Sequence, residues 1–206
     1  MGEGLRERKK AETRRALSSA ALRLAQQLGP DGVTIEAIAE ASGVSPRTFF
    51  NYFASKEDAI VGTTPSEPSE LLGDLVDRPA GEAPLEALRG MALAAAGRLE
   101  ATADELWARH ELTQRHPSLA VRRAARMAEV ERGLAEEIAR RTGLDVDRDA
   151  FPALVVSAAL GALRVGMAVW HQQGRSRPLT QVIGDTFDQV ASGFDLPARV
   201  DGAARP

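Results

Sequence analysis

The chain has 206 residues, of which 44% are hydrophobic and 27% charged, as in a globular protein with a real core. The sequence contains no cysteine, which excludes disulfides, thiolate metal sites and cysteine nucleophiles. No apolar run is expected to reach the roughly 18 residues of a membrane span, and no apolar stretch follows the N-terminal charges as in a secretory signal. We therefore expect a cytoplasmic protein that has no membrane partner.

The formal charge of -3 is unevenly distributed along the chain. The first 23 residues carry seven Lys or Arg and three Glu, a net charge of +4, which leaves -7 for the remainder. This basic end includes an arm formed by Arg6, Arg8, Lys9 and Lys10. A basic end on an acidic body favours contact with an anion such as DNA, although a solvated tail has the same composition.

Apolar residues recur at helical spacing nearly throughout the chain, which predicts an all-α fold. A first helix is expected over residues 9–27, and the GPDG sequence at residues 29–32 ends it because Gly and Pro both break helices. Thr34 is a good N-cap for a second, short helix that stops at a Ser-Gly turn. Two more short helices are expected to start at Ser45 and Ser55, which are also good N-caps.

The second and third of these helices form a helix-turn-helix pattern over residues 34–53. Pro46 stands at the first position of the third helix, where its missing N–H costs nothing. In a helix-turn-helix, the N-terminal residues of the second helix of the motif reach base edges in the major groove. Arg47 can make a bidentate contact with guanine, and Thr48 can touch a thymine methyl or a phosphate. Any pair of short helices joined by a glycine turn has this spacing, so the pattern alone leaves a purely structural role open.

The remainder of the chain predicts a connection followed by a larger helical unit. Residues 63–84 are rich in Pro, Ser, Gly and acidic residues, which predicts a mobile connection with a short helical piece at about residues 70–76. Pro117, Gly143 and Gly174 punctuate the segment that follows. Helices are expected there over residues 84–100, 103–115, 117–141, 148–173 and 178–194.

The stretch TRRALSSAALRLAQQLGPDGVTIEAIAEASGVSPRTFFNYFASKEDAI, residues 13–60, resembles the DNA-binding domain of the tetracycline-repressor (TetR) family. Its most specific parts are VTIEAIAEASGVS, TFFNYF and SKEDAI. The resemblance implies an all-α protein with an N-terminal three-helix helix-turn-helix domain and a C-terminal helical domain for ligand binding and dimerisation. The expected divisions are a DNA-binding domain over 1–60, a flexible connection over 61–83, the effector domain over 84–196 and a frayed tail over 197–206.

The resemblance also implies DNA contacts at the matching positions. Hydroxyls, amides and helix N-termini orient such proteins on the phosphate backbone, while residues early in the recognition helix face the bases. The chain departs from the frequent family pattern at Pro46-Arg47, where Lys-Gly is common, and at Phe50, where Tyr is common. Phe50 therefore lacks a hydroxyl for a phosphate. The expected DNA-contacting residues are Thr34, Ser45, Pro46, Arg47, Thr48, Asn51, Tyr52 and Lys56.

The last two helices are the expected dimer interface. The helix over 178–194 carries an apolar stripe from Leu179 to Phe194, and the helix over 148–173 is apolar on most of its circumference, so it needs partners on two sides. The resemblance implies a four-helix bundle formed by these helices from two subunits. The alternative is that they merely close the core of the monomer.

The family resemblance further implies a ligand pocket in the larger domain. Inward-facing Met and Trp also serve simply as core, so each candidate has a structural alternative. Few charged residues can be assigned to inward faces, which favours a small apolar or aromatic ligand. The candidate pocket residues are Met91, Leu99, Trp107, His110, Met127, Val156, Leu163 and Met167.

These observations predict a ligand-responsive transcription regulator that releases a palindromic DNA operator when a small effector binds. The family resemblance implies a repressor, because most members of the family repress transcription. Two other classes of protein are considered against the sequence features. An enzyme is disfavoured because His110 and His116 fall on different helix faces and no glycine-rich phosphate loop occurs, so neither cofactor nor metal is expected. The other is a DNA-binding regulator without a small ligand, responding to a protein partner or to nothing.

Overall fold

The computed structural model of the chain describes residues 2–62 and 68–193, with no side chain described for residues 2–7 or 68–69. Every regular element in this part of the chain is a helix, which confirms the predicted all-α class. Phe194 and the predicted tail lie outside the described residues. The helices are α1 Gly2–Gly32, α2 Ile35–Ala41, α3 Pro46–Phe49, α4 Lys56–Val61, α5 Pro68–Val76, α6 Pro84–Glu100, α7 Ala103–Arg115, α8 Pro117–Thr142, α9 Ala150–Gln172 and α10 Leu179–Ala191.

Three hydroxyl caps start the short helices of the N-terminal domain, as the sequence predicts. The side-chain oxygen of Thr34 accepts from the N–H of Ala37 at 3.2 Å. Ser45 and Ser55 accept at 3.1 Å from the N–H groups three residues ahead. Each cap satisfies a backbone donor that has no partner inside its helix, so the start of each helix is determined locally.

The first helix differs from its predicted bounds at the N-terminal side. It begins at Gly2, so the basic residues 6–10 continue a helix and do not form an extended arm before it. At the other end, helical geometry breaks at Gly29, where φ is 72° and ψ is 155°. The predicted stop is therefore confirmed, because only glycine adopts this region without strain.

The core of the N-terminal domain extends into the larger domain. Leu17, Ile38 and Phe49 are fully buried in one apolar cluster with residues of α4. Leu119, in the first turn of α8, belongs to the same cluster and is also fully buried. The short N-terminal helices are therefore packed directly onto the larger domain.

Helix α9 is the central helix of the larger domain and packs on α6, α8 and α10. A Cβ at Gly166 would lie 2.6 Å from Ile183 Cδ1, so the absence of a side chain there allows α9 and α10 to approach closely. By length and composition α9 is apolar enough to cross a membrane, which corrects the expectation that no such run occurs. Only 28% of its apolar window is buried, although it packs against three helices.

Helix α5 occupies much of the segment predicted to be a flexible connection. The expected short helical piece is present, and its Leu71 and Leu75 are buried against α6 and α8. Arg141 of α8 donates hydrogen bonds to the carbonyl oxygens of Leu75, Val76, Arg78 and Pro79, where α5 ends. Apolar burial and these bonds hold the segment on the domain.

A buried carboxylate orients Arg141 for this role. Glu137 accepts from Arg141 Nε at 2.9 Å and from Arg140 at 2.7 Å. The side chains of Glu137 and Arg141 are only 7% and 4% exposed, so water does not compete for the hydrogen bonds between them. The hydrogen bond from Arg140, and then the one from Arg141, holds the pKa of Glu137 below its ordinary value.

Replacing Glu137 by Gln should lower the free energy of unfolding by about 2 kcal/mol at neutral pH, because two guanidiniums lose a charged acceptor. Since the folded-state pKa is depressed, this stability is present above the ordinary value of 4.5 and is lost as the pH falls through the folded-state pKa. Urea unfolding as a function of pH should show the two proteins differing at neutral pH and converging in acid.

Glu136→Gln is the matched control for this experiment. It removes a carboxylate that pairs with Arg132 at the surface, where both side chains are more than half exposed. Such pairs contribute little, so its unfolding midpoint should stay close to that of the original chain. An equal loss in the two variants would contradict the buried role of Glu137.

Candidate nucleic-acid interface and effector pocket

The recognition helix α3 is oriented by its buried phenylalanines. Phe49 is fully buried, and its ring centroid lies 5.8 Å from that of Phe53. Because these rings point into the core, the opposite side of the segment is turned to solvent. The structure brings four of the predicted DNA-contacting residues to that exposed face: Ser45, Pro46, Arg47 and Asn51.

Thr48 and Tyr52 lie at the margin of this face. Thr48 is half-buried, and its hydroxyl lies 2.9 Å from that of Ser45, within the helix cap. Tyr52 is also half-buried and packs on the core, while its carbonyl accepts from Arg14 at 2.6 Å. The guanidinium of Arg14 also lies 4.5 Å from the ring centroid of Phe53. Arg14 therefore braces the end of the recognition segment from inside the domain.

Thr34 and Lys56 lie close together beside α2. The Lys56 ammonium donates to the carbonyl of Val33 at 2.9 Å and to that of Asp31 at 3.2 Å. It therefore stands at the residue before Thr34, whose hydroxyl caps α2. Two of the three ammonium hydrogens have backbone acceptors, which leaves one for a phosphate. The sequence could not show this, because it depends on the turn that follows Gly29.

Phe50 is an exposed aromatic side chain on the same face. It is 57% exposed, with its ring edge-to-face against Phe49 at 5.6 Å. The surface around Arg47 is therefore partly apolar, since Pro46 is also exposed. Apolar side chains on such a face can contact thymine methyl groups.

The larger domain contains two adjoining pockets between α6, α7, α8 and α9. The larger has a volume of about 670 Å³ and the smaller about 300 Å³. Their shared walls make them neighbours within one region of the domain. The residues that line both pockets are Leu99, Leu106, Arg123, Met127, Arg164 and Met167.

Most of the predicted pocket residues lie at these walls. Trp107 and His110 line the larger pocket, and Leu163 lines the smaller one. Leu99, Met127 and Met167 line both. Met91 and Val156 do not line either pocket, because each is 1% exposed within the apolar core.

Charged and aromatic groups meet in the larger pocket. Arg123 Nη1 donates to His110 Nδ1 at 3.1 Å. Burial, and then the neighbouring Arg123 guanidinium, lowers the pKa of His110 below its ordinary value, so this ring is neutral at pH 7. Beside this cluster Trp107 lies with its ring centroid 5.1 Å from that of His110, and it stacks on His171 with centroids 3.4 Å apart and planes 13° apart.

Sequence reasoning missed three of these polar residues: Arg123, Arg164 and His171. Few charged residues could be assigned to inward faces from the sequence, and the structure places these three at the pocket walls. Helical spacing could have found them, since Arg123 precedes Met127 by four positions. On α9, Arg164 and His171 stand three before and four after Met167, on the same helix face.

Helix α7 connects the pocket to the DNA-binding domain. Leu106, Trp107 and His110 line the pocket, while Arg109 donates to the carbonyl of Ile60, in the last turn of α4, at 2.8 Å. The Arg109 side chain is only 10% exposed, and its second partner is the Glu105 carboxylate at 3.4 Å. One helix therefore carries a pocket wall and a polar contact to α4.

Gly62 makes this contact possible. Its φ of 68° lies in the left-handed region. A Cβ there would clash with the Arg109 guanidinium and come within 2.6 Å of Ser18 Oγ. The Ser18 hydroxyl in turn donates to the carbonyl of Ala59 at 2.9 Å. The end of α4 is thus held by α1 on one side and by α7 on the other.

One face of α9 presents large apolar side chains to solvent. Phe151, Leu154 and Val165 are 46%, 66% and 43% exposed, and their spacing of three and eleven positions places them on the same side of the helix.

In the described ranges, no group of three or more His, Asp or Glu side chains could hold a metal ion.

Two family models match the chain. Residues 17–59 match the model described as bacterial regulatory proteins, tetR family. Residues 82–195, more than half of the chain, match the model described as the MftR C-terminal domain. The chain belongs to the TetR family of transcription regulators. Its N-terminal helix-turn-helix is the DNA-binding part, as the resemblance implied.

Relatives and solved structures agree with this assignment. The TetR-family chain is 39% identical to the HTH-type transcriptional regulator TcmR of Streptomyces glaucescens over 176 residues, 82% of this chain and 78% of TcmR. The fatty acid degradation regulator FadR from Bacillus halodurans has a TM-score of 0.58 at 19% identity, covering 88% of this chain and 95% of that one. Thermus thermophilus FadR, a repressor in complex with lauroyl-CoA, has a TM-score of 0.55 at 21% identity, covering 93% and 100%. At these identities the two structures support the fold alone.

Arg47→Ala should relax the sequence preference of this TetR-family protein at one position of its half-site, by about 1–3 kcal/mol. The reason is that an exposed guanidinium at the start of the recognition helix can read a guanine edge. Titration of binding sites selected from random DNA, each with single-base changes, measures the effect. Lys10→Ala is the control, because the loss of an exposed positive charge on α1 should weaken binding to all DNA sequences by the same factor. Uniform weakening by Arg47→Ala would reduce Arg47 to a phosphate contact.

Proposed function

We propose that this protein is a cytoplasmic, non-enzymatic repressor that binds a palindromic operator as a homodimer and releases it when a small organic molecule enters the α6–α9 pocket. The observation that carries the proposal is the double role of α7, which lines the pocket and donates a hydrogen bond to α4. The complex of Thermus thermophilus FadR with lauroyl-CoA supports the idea that this fold accommodates an effector. A regulator without a small ligand is the alternative that the experiments below separate.

The dimer part of the proposal is supported by the apolar face of α9. One recognition helix reads few base pairs, and a two-fold dimer doubles the contacts on a symmetric site. Phe151, Leu154 and Val165 are exposed in the monomer, and large apolar side chains sharing one helix face are a favourable dimer surface. We assign this surface, continued by α10, to the partner subunit.

Leu154→Asp should convert the protein to a monomer and lower its affinity for a two-half-site operator, because a charge would be buried in the apolar interface. Light scattering measures the mass, and a gel-shift titration measures the affinity. Val121→Asp is the matched control, since Val121 is 70% exposed on α8, away from this face. A Leu154→Asp dimer with full operator affinity would place the interface elsewhere.

Release of DNA follows from a population shift. A ligand that binds better to one position of α7 favours the corresponding position of α4, because Arg109 connects the two. The spacing of the two recognition helices in the dimer then changes. A thermal-shift screen of organic molecules identifies the ligand, since specific binding stabilises the folded protein. A molecule that binds in the pocket and leaves operator affinity unchanged at saturation would contradict this mechanism.

Arg109→Gln should keep ligand binding and basal operator binding but reduce the ligand-induced loss of operator affinity. The substitution removes the donor to the Ile60 carbonyl and leaves the pocket side of α7 intact. The comparison is the ratio of operator affinities with and without the stabilising molecule found in the screen. Arg115→Gln is the control on the same helix, since its side chain is 73% exposed. An unchanged ratio in Arg109→Gln would exclude Arg109 as the connection.

A further inference from the structure

We propose that the pocket takes an amphipathic organic acid, whose anionic group is bound between Arg123 and Arg164 and whose apolar or aromatic body lies along Trp107, Met127 and Met167. This inference rests on the proposed function, because it names the ligand class of the same pocket. It replaces the apolar or aromatic ligand that the sequence favoured.

The first observation is that these two guanidiniums lack carboxylate partners. Arg123 is half-buried, and its one hydrogen-bond partner among the described residues is the neutral ring of His110. Arg164 lines both pockets and forms no ion pair within the described part of the chain. Glu131, on the wall of the smaller pocket, pairs with neither of them there. The half-buried Arg123 cation without an anion is unfavourable, and a bound acid removes that cost. Arg164 is exposed and adds a second positive charge at the same walls.

The neighbouring cleft between α1 and α7 provides the contrast. It has a volume of about 400 Å³ and also contains arginines. Arg15 there pairs with Glu70 at 3.1 Å, Arg98 with Asp74, and Arg109 with Glu105. The charges of that cleft are already neutralised within the protein, so it offers an incoming acid much less than the pocket does.

The second observation is the donor geometry around Arg123. Because Arg123 donates to His110 Nδ1, the neutral ring carries its proton on Nε2 and can act as a further donor. Arg side chains bind carboxylates and phosphates through two parallel N–H groups. The cluster therefore suits an anionic group in either form, carboxylate or phosphate.

The third observation is the apolar wall next to this cluster. Leu99, Leu106, Met127 and Met167 are shared by both pockets, and the stacked Trp107 and His171 rings add an aromatic surface. Methionines adapt to the shape of an apolar ligand. A pocket of about 670 Å³ is far larger than an inorganic anion needs, so the anionic group must carry a substantial body.

Tryptophan fluorescence is a direct probe of this pocket. The chain has two tryptophans, and both Trp107 and Trp170 line the larger pocket. The full-length protein is titrated with decanoate, decyl phosphate, 1-decanol and inorganic phosphate. The first three share a ten-carbon alkyl group and differ in whether it carries an anionic group. We expect decanoate or decyl phosphate to bind about tenfold more tightly than 1-decanol. Inorganic phosphate should not bind at the same concentrations. The two acids together identify which anionic group is preferred, and 2-naphthoate, followed by thermal shift, tests an aromatic body.

Two variants assign the effect to the named residues. Arg123→Gln and Arg164→Gln should each weaken acid binding by about tenfold and leave 1-decanol binding unchanged. Arg148→Gln is the control, since its side chain is 86% exposed in the loop before α9. Because Arg164 is exposed, Arg164→Gln should fold normally, so it remains informative if Arg123→Gln does not.

The outcomes separate this inference from the proposed function. If 1-decanol binds as tightly as the acids and releases the operator, the acid assignment is overturned and the ligand-responsive function stands. If inorganic phosphate matches the acids, or both Arg variants bind acids normally, the assignment is likewise overturned. If none of these molecules binds in the pocket, the acid assignment is overturned, while the ligand-responsive function is decided separately by the thermal-shift screen. Selective acid binding that is lost in both variants supports the inference.

Discussion

In the proposed mechanism, the hydrogen bond from Arg109 to the carbonyl of Ile60 is the contact on which communication between the two domains depends. It joins the helix that lines the pocket to the last helix of the DNA-binding domain. Gly62 provides the room for it, and the buried Leu119 provides the apolar contact beside it. A hydrogen bond from a buried guanidinium to a carbonyl is directional, which is why we propose that a shift of α7 changes the position of α4.

The core of the N-terminal domain determines which residues of α3 are exposed on the predicted DNA-binding face. Phe49 is inserted into the core, and hydroxyl caps determine where the short helices begin, so the outward residues of α3 have little freedom of orientation. The buried Phe49 and the caps therefore hold a helix of only four residues in one orientation, with Arg47 on its exposed side. The exposed ring of Phe50 adds an apolar group to this face.

The pocket has the opposite balance, because charge has been placed where apolar packing would be expected. Arg123 and His110 form a polar cluster against methionines and a stacked Trp107–His171 pair. Arg141, elsewhere in the domain, has a structural role, since it donates hydrogen bonds to backbone carbonyls at the end of α5. The difference is the presence of a carboxylate: Glu137 accompanies Arg141, and nothing comparable among the described residues accompanies Arg123.

Local chemistry explains what could be predicted from the sequence. Caps such as Thr34 and Ser45, the break at Gly29 and the 3.6-residue apolar period depend on neighbours within a few positions, so the helices and the helix-turn-helix were predictable. The inward faces of α7, α8 and α9 were predictable for the same reason, and Trp107 and Met127 do line the larger cavity, while their role in ligand binding stays a prediction.

Only the tertiary structure decided which groups from different helices meet. The two carbonyls that hold Lys56, the bond between Arg109 and Ile60, and the pairing of Arg123 with His110 each join residues 13 to 49 positions apart. The burial of α5 belongs to the same class, since a short segment rich in Pro and Ser folds here because α6 and α8 cover its leucines. The sequence by itself therefore determined the helices and the DNA-binding motif, which are local, while the tertiary structure decided the charge of the pocket and its connection to that motif.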